Sequence, residues 1–200
     1  MFASEISKEE LHNLSLARFE GKIQVIERYG VAEFVANRLR SYPMFGFDTE
    51  TRPSFTKGRV NRVALLQLAT ATDAYLFRLC KMDIPPSLLA LLSDPAILKI
   101  GAAIKNDLDV LKRSAKLKPC GFVDLQDMMH QFDIKSTGLA KMAGIVLGVR
   151  ISKSQQLSNW ENHILTPAQQ HYAATDAWMC YLIYERLKQL KVSNSEFLYS

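Results

Sequence analysis

Four acidic residues in three separate segments have the types and spacing needed for chemistry. Asp48 and Glu50 stand two residues apart, Asp107 lies further along the chain, and Asp176 follows Tyr172 by four residues. Residues two apart in a strand, or four apart in a helix, share one face, so each pair can face a common site. Carboxylates gathered in this way repel one another unless hard divalent cations bridge them. The pattern predicts a metal-dependent hydrolase that acts by phosphoryl transfer.

Phosphodiester cleavage by two metal ions would assign each carboxylate a position. Two ions about 3.5 to 4 Å apart can activate the attacking water and stabilise the leaving oxygen. Asp48, at the end of a buried strand, is the best candidate to bridge both ions. Glu50 and Asp176 would complete one ion, and Asp107 would reach the second. An all-oxygen ligand set without histidine or cysteine favours Mg²⁺ or Mn²⁺ over zinc.

Tyr172 is predicted to position water rather than to remove its proton. The unperturbed pKa of a tyrosine hydroxyl is about 10, too high for a strong general base at neutral pH. The hydroxyl can still hold the attacking water in line with phosphorus.

Each acidic residue also has an ordinary structural interpretation. The pair Asp48 and Glu50 could be an exposed strand end, and Asp107 a first-turn acid stabilised by its helix dipole. Asp176 could flank the core while pairing with a lysine. For Asp107 and Asp176 considered singly, the ordinary interpretation is preferred. The prediction of a metal site therefore depends on all four acidic residues lying together.

The first half of the chain is predicted to place the acidic pair on a sheet. Ser7 and Glu10 form a capping-box pattern for a short helix, and Gly46 interrupts the apolar run that ends in the acidic pair. The predicted elements are a strand from Phe19 to Glu27, a helix from Val31 to Tyr42, a strand from Met44 to Glu50, and an antiparallel hairpin of Val63 to Thr70 with Ala74 to Leu79.

The second half alternates helices and strands. The predicted helices are Pro86 to Leu92, Ile104 to Ala115, Leu125 to Phe132 capped by Asp124, Gly138 to Leu147, and Pro167 to about Leu190; the strands are Ile97 to Gly101 and Phe122 with Val123. Thr166, Pro167 and Gln169 combine an N-cap, a first-turn proline and a reciprocal glutamine. This order predicts an α/β fold with a mixed sheet covered by helices on both faces.

Composition favours one globular domain. The chain has 200 residues, 48% of them hydrophobic, with no linker-like stretch. We expect a single domain over residues 1–200, with a helical adapter at 1–20 and a core at about 20–190. The start does not resemble a secretory signal, and no apolar run approaches the roughly 20 residues of a membrane span. With three dispersed cysteines, a soluble, cytoplasmic protein is expected.

Basic residues cluster beside the acidic segments although the net charge is only +5. These residues are Lys57, Arg59 and Arg62 after the first segment, and Lys112, Arg113, Lys116 and Lys118 after the second. Phosphate contacts with a polyanion would explain their placement, while a solvated surface is the alternative explanation.

The ordered motifs resemble the DEDDy family of 3′ to 5′ exonucleases, in the branch of ribonuclease D and the Werner syndrome exonuclease domain. The resemblance covers about Ile23 to Leu190. The matching segments are Phe47 to Glu50 with Pro53, Lys57-Gly58 and Val63 to Leu68; Gly101 to Asp107 with Leu111; and Ser152 to Ser154, Ser158 to Trp160 and Leu165 to Pro167, ending in Tyr172 to Ala177. Tyrosine at position 172, rather than histidine, indicates the tyrosine branch.

The resemblance implies a ribonuclease H-like three-layer α/β/α fold, two divalent ions and release of nucleoside monophosphates from a 3′ end. It assigns Asp48, Glu50, Asp107 and Asp176 as metal ligands and Tyr172 as the residue that orients water. Expected substrate contacts are Thr49, Thr51, Leu65, Gln67, Lys57, Arg59, Arg62 and Lys153. Trp160 is expected to pack in the core, and Asp109 stands where an aromatic residue would otherwise stack on a base.

A stand-alone nuclease acting on a single-stranded or recessed 3′ end, with DNA repair as one expected role, is the leading hypothesis. The choice between DNA and RNA, the oligomeric state and the pathway stay open. The alternatives are a catalytically weak nucleic-acid-binding module of the same fold and a phosphodiesterase for small nucleotides.

Overall fold

The computed structural model describes residues 2–54 and 61–197 and is built on a six-stranded mixed sheet. In chain order the strands are β1 Ser15–Leu16, β2 Lys22–Ile26, β3 Met44–Thr51, β4 Val63–Ala69, β5 Asp73–Phe77, β6 Leu98–Gly101, β7 Phe122–Asp124 and β8 Val149–Arg150. The sheet has the order β2-β5-β4-β3-β6-β7, and β1 pairs separately with β8. Only β4 runs antiparallel to its neighbours in the six-stranded sheet.

Helices cover both faces of this sheet. They are α1 Lys8–Asn13, α2 Tyr29–Leu39, α3 Pro86–Ser93, α4 Lys105–Ser114, α5 Leu125–His130, α6 Leu139–Leu147 and α7 Pro167–Phe197. Apolar residues of α2, α3 and α4 pack on one face of the sheet, and those of α5, α6 and α7 pack on the other. The predicted α/β/α layers and mixed sheet are therefore confirmed. Within the described ranges, no helix combines the length and apolarity that crossing a membrane requires.

The predicted elements are present, and their ends differ in informative places. The β4-β5 hairpin is antiparallel, as the sequence indicated. The strand predicted from Phe19 to Glu27 is β2, which begins only at Lys22 because Phe19 is anchored on α7 instead of the sheet. Its backbone N–H donates to Thr175 Oγ1 at 3.0 Å, and its ring meets Trp178 edge to face at 5.6 Å. Helix α7 continues past the predicted end at Leu190 to Phe197.

Side-chain alternation along β3 determines which face receives the carboxylates. Phe45 and Phe47 are fully buried in the core under α2, α3 and α4. Met44 packs with α7 on the opposite face, which is also the face of Asp48 and Glu50 by the two-residue repeat. The acidic pair therefore projects towards α7.

Gly46 lets α7 lie directly against β3. A Cβ atom at this position would lie 1.8 Å from the carbonyl oxygen of Ala177 and 2.8 Å from the nitrogen of Tyr181. Only a residue without a side chain fits such close backbone contact. The glycine that interrupts the apolar run thus sets the separation between the strand of Asp48 and the helix of Asp176.

The start of α7 is fixed by the predicted capping box. Thr166 N donates to Gln169 Oε1 at 3.0 Å, and Gln169 N donates to Thr166 Oγ1 at 3.2 Å. The Gln169 amide nitrogen also donates to Ser158 Oγ and to the carbonyl of Asn159. The same residue therefore starts the helix and holds the preceding loop against it.

Candidate active site

Three carboxylates converge where β3 faces α7. One oxygen each from Asp48, Glu50 and Asp176 lies within 4.8 Å of the others. Asp48 and Glu50 come from one face of β3, and Asp176 from the third turn of α7. They line a cleft of about 750 Å³ together with Tyr172. Oxygen ligands at this spacing are suited to a hard divalent cation.

The electrostatics of the cluster disfavour three bare negative charges. Burial raises the pKa of Asp48 well above its usual range, and the charges of Asp176 and Asp107 raise it further. Burial, followed by the charge of Asp48, raises the pKa of Glu50 to about 10. Burial also raises the pKa of Asp176 to about 7, although Tyr172 and Lys153 act in the opposite direction. A cation in the cluster would compensate for this repulsion.

Tyr172 presents its hydroxyl to the same cluster. Its side chain lies beside the carboxylate of Asp176, one helical turn further along α7, and the two groups influence each other's pKa. Burial and the charges of Asp176 and Glu50 raise the tyrosine pKa above its ordinary value. The side chain therefore remains a neutral hydroxyl, which can donate a hydrogen bond but is a poor general base. Its ring lies 5.9 Å from that of Trp160, which is fully buried as predicted.

Asp107 is near the cluster but is held on the other side of β3. Thr49 Oγ1 donates to Asp107 Oδ1 at 2.6 Å, and Thr49 alternates with Asp48 and Glu50 along the strand. Asp107 is not among the three carboxylates with close ligand atoms, and it does not line the cleft. Its charge nevertheless raises the pKa values of both Asp48 and Glu50. The structure thus brings three of the four predicted ligands together and places the fourth beside them.

The predicted substrate-contacting residues fall into different environments. Lys153 lines the cleft, and its charge lowers the pKa of Asp176. Thr49 also lines the cleft. Thr51 ends β3 after a break in the register with β4. Arg62 is exposed immediately before β4 and does not line the cleft, whereas Lys57 and Arg59 lie outside the described residues.

Leu65 and Gln67, predicted to line the substrate entrance, lie in the interior of the sheet. Both are fully buried in β4, and neither is among the residues that line the cleft. Strand β4 lies between β3 and β5, and Leu65 packs against Trp160 and Ala173, which seal its face. The Gln67 amide is opposite Asp48 and has no hydrogen-bond partner in the described structure. The uninterrupted apolar run around Gln67 was the signal for this burial.

Ionic contacts of one buried and one exposed basic residue hold the loop that leads into α7. Arg78 is fully buried; it donates to Glu27 Oε1 at 3.1 Å and to the carbonyl of Asn162. Lys81 Nζ donates to the same Glu27 oxygen and to the carbonyl of His163. These contacts tie the segment between β8 and α7 to the β2-β5 side of the sheet. Sequence motifs had singled out Lys153 and Trp160 in this segment but not the residues that hold it.

A further part of the cleft was missed from the sequence. The segment from Lys135 to Lys141, at the start of α6, forms much of its wall. Ser136, Thr137 and Gly138 before an apolar helix are an ordinary helix-start pattern, and nothing in that pattern relates it to the acidic residues. Tertiary packing alone brings it to the same cleft.

The sequence model of the 3′-5′ exonuclease family matches residues 23–191. The chain belongs to this family. Mouse bifunctional 3′-5′ exonuclease/ATP-dependent helicase WRN is 33% identical over 189 residues, which cover 89% of this chain and 13% of the mouse protein. Drosophila melanogaster exonuclease 3′-5′ domain-containing protein 2 is 36% identical over 156 residues, covering 76% of this chain and 26% of the fly protein.

A solved relative agrees with the same assignment. Escherichia coli RNase D superposes with a TM-score of 0.76 at 26% identity, covering 88% of this chain and 47% of that protein. The ribonuclease H-like fold is thereby confirmed, as is the resemblance drawn from the motifs. The chain spans about a quarter or less of the mouse and fly relatives and about half of RNase D.

Proposed function

We propose that this chain hydrolyses phosphodiester bonds at the 3′ end of a nucleic acid strand and releases nucleoside monophosphates. The observation that carries the proposal is the meeting of Asp48, Glu50 and Asp176 in one cleft of a 3′-5′ exonuclease family member. The cluster needs a counter-charge, and its ligand atoms are oxygens at metal-binding separation. Both features fit Mg²⁺ or Mn²⁺.

In this proposal the carboxylates share two divalent ions. Such ions would supply a nucleophilic water at neutral pH and neutralise the charge that develops on the leaving oxygen. Asp48, central among the acidic groups, would bridge the two positions, and Glu50 with Asp176 would complete one of them. Asp107 would serve the other position through water or by giving up its hydrogen bond with Thr49.

Tyr172 would hold the attacking water in line with phosphorus. It lines the same cleft as the three clustered carboxylates, beside Asp176. Because its pKa is raised, the hydroxyl would keep its proton and contribute orientation rather than proton abstraction.

The substrate of the proposal is a strand with a free 3′ hydroxyl, either single-stranded or recessed. Lys153 in the cleft and the exposed Arg62 would contact backbone phosphates, as would Lys57 and Arg59. The E. coli protein is called an exoribonuclease, whereas the name of the mouse protein specifies neither DNA nor RNA. Matched DNA and RNA strands should therefore be compared directly.

An end-labelled oligonucleotide tests the activity. A strand labelled at its 5′ end and incubated with Mn²⁺ should give a ladder of progressively shorter labelled products, which a chelator abolishes. A strand labelled at its 3′ end should release a labelled mononucleotide at once. Metal-dependent binding without a ladder would contradict the proposal and support the non-catalytic binding module. Cleavage of small nucleotide diesters at a rate independent of strand length would support the phosphodiesterase instead.

Tyr172→Phe is expected to lower kcat by roughly 10²-fold, the usual scale for a positioned hydroxyl in a transition state. The ring and its contact with Trp160 are retained, so the melting temperature and the apparent Mn²⁺ affinity should stay close to wild type. Single-turnover cleavage measures the first quantity, and calorimetric Mn²⁺ titration measures the second. Tyr184→Phe, further along α7, is the matched control. Near-normal turnover of Tyr172→Phe would remove the assigned role.

The metal-free protein is expected to lose stability as pH rises. Asp176 and Glu50 have pKa values of about 7 and about 10 in the fold, above their ordinary values of 3.8 and 4.5. Between those limits the native state binds more protons than the unfolded state, so the free energy of unfolding falls with increasing pH. Melting temperatures between about pH 5 and pH 8 should therefore decline in chelator. Saturating Mg²⁺ should flatten the decline; a metal-independent profile would contradict the assignment.

A further inference from the structure

The cleft that contains the carboxylates continues to the beginning of α6. The cleft that Asp48 lines is also lined by residues at and just before the start of α6: Ser136, Thr137, Gly138 and Lys141. The proposed metal and water positions involve none of these residues. Their chemistry indicates what else occupies the cleft.

In the first turn of α6, the N–H groups of Leu139 and Ala140 have no hydrogen-bond partner within the described ranges, whereas the N–H of Lys141 donates to the carbonyl of Gly138. The helix spans nine residues, Leu139–Leu147, and its N-cap residue Gly138 has no side chain to accept from them. Gly138, Leu139 and Ala140 line the cleft, so these N–H groups lie at its wall. The helix dipole adds partial positive charge at the same end. Backbone donors and a dipole together favour an anion.

Ser136 is a second and independent sign of a ligand. Its side chain is in the cleft wall, yet the residue is only 7% exposed. Within the described ranges its hydroxyl makes no side-chain hydrogen bond. The hydroxyl oxygen is not among the unpaired side-chain atoms that are sealed from solvent, so it is open to the cleft. A hydroxyl held in this way is suited to donate to a group that enters the cleft.

The loop before α6 is held in a defined position. Gln126 Nε2 donates to the carbonyl of Thr137 at 3.0 Å, and Lys135 N donates to the carbonyl of Ser4 at 2.9 Å. These bonds pin the backbone on either side of Ser136. The donors are therefore preorganised rather than collected from a loose loop.

Lys135 and Lys141 flank the start of α6 in this cleft. The acidic residues of the cleft are Glu5 and the three clustered carboxylates, and Lys153 acts on one of those, Asp176. Lys135 and Lys141 form no ion pair with any residue of the described chain. These two ammonium groups, the helix N-terminus and the Ser136 hydroxyl together favour an oxyanion such as a phosphodiester.

We propose that the start of α6 binds an internal phosphodiester of the strand whose 3′ end lies among the carboxylates. This inference rests on the proposed function, since it identifies the polymer rather than a mononucleotide as the ligand of the cleft. Ser136 and the α6 N–H groups contact the phosphate oxygens, and Lys141 contributes charge.

A pair of substitutions at the N-cap separates this role from helix stability. An added Cβ at Gly138 meets nothing within 4 Å, so both Gly138→Asp and Gly138→Asn fit. Each is a good N-cap and should hold or raise the melting temperature. Gly138→Asp also adds a negative charge where the phosphate is proposed to bind. It should weaken oligonucleotide binding in chelator about tenfold relative to Gly138→Asn. Equal affinities for the two variants would overturn the proposal.

A strand with one neutral linkage locates the contact. Methylphosphonate replaces one phosphodiester at a time along a short single strand, and affinity is measured by fluorescence anisotropy in chelator. At one internal position, the neutral linkage should lower the affinity of the wild type about tenfold. In the variant that combines Ser136→Ala with Lys141→Gln, the neutral linkage at that position should cause no further loss of affinity. Ser136→Ala alone should not lower the melting temperature, because the hydroxyl it deletes has no partner. Lys188→Gln, an exposed lysine of α7, is the matched control.

Binding measurements test the phosphate subsite at α6, and cleavage measurements test the exonuclease activity. Strands that show the positional penalty but no ladder with Mn²⁺ would contradict the proposed activity and support the phosphate subsite. Normal cleavage, together with the same loss of affinity at each methylphosphonate position in the variant and in the wild type, would support the activity and overturn the subsite. A salt dependence of binding that loses about 0.7 in slope in Lys141→Gln would support a direct phosphate contact; an unchanged slope would count against it.

Discussion

Replacing Asp48 by asparagine is expected to abolish measurable cleavage while making the metal-free protein more stable. Asp48 is the central carboxylate, coupled to Asp176 and Asp107 by charge and buried enough that its pKa is raised well above the usual range. Losing its charge removes a proposed ligand of both ions, which should lower kcat at least about 10³-fold. The same change removes repulsion that opposes folding when no cation is present.

The two readouts of Asp48→Asn should therefore move in opposite directions. In chelator at about pH 8, the variant should melt at a higher temperature than wild type, and added Mn²⁺ should raise its melting temperature less. Asp83→Asn, an exposed acid between β5 and α3, should change neither property. A variant that retained turnover, or that lost stability in the metal-free state, would contradict the assigned position of Asp48.

Among substitutions that add a single methyl group, Gly46→Ala is expected to destabilise the fold most. The added Cβ would lie 1.8 Å from the carbonyl oxygen of Ala177, a backbone atom that cannot rotate away. Either β3 or α7 must shift, at an expected cost of about 3 kcal/mol or more in the free energy of unfolding. Asp48 and Asp176 lie two residues and one residue from the clash, so the shift should also separate the carboxylates and lower cleavage at least about tenfold.

Gly30→Ala provides the matched control for Gly46→Ala. Gly30 lies in α2, and an added Cβ there meets nothing within 4 Å. Alanine in a helix should leave stability unchanged or raise it by up to about 1 kcal/mol. Chemical denaturation and single-turnover cleavage measure both effects. If Gly46→Ala unfolded like the control and cleaved normally, the close approach of α7 would not be what sets the site.

Local patterns were sufficient to predict the elements that carry the site. The apolar run ending at Asp48 and Glu50 predicted β3, and the capping pattern of Thr166 and Gln169 predicted the start of α7. Strand and helix periodicities then predicted which neighbouring residues share a face. These are short-range properties, so one sequence is enough to recognise them.

The relations between elements were harder to predict because they depend on packing. The tether between Thr49 and Asp107 places that carboxylate across β3 from the other three, and no spacing along the chain indicates it. The burial of Leu65 and Gln67 follows from β4 being central and from Trp160 lying over its face. Ser136 reaches the cleft only through the docking of α6. In each case contacts distant in sequence decide the environment.

The position of divalent ions in a crystal tests the central claim most directly. Crystals soaked in Mn²⁺ with a nucleoside monophosphate should give two anomalous peaks about 3.5 to 4 Å apart beside Asp48. One should contact Asp48, Glu50 and Asp176, and the second should lie on the side of Asp107. A protein that cleaves strands with Mn²⁺ but shows no anomalous peak at these carboxylates would contradict the account.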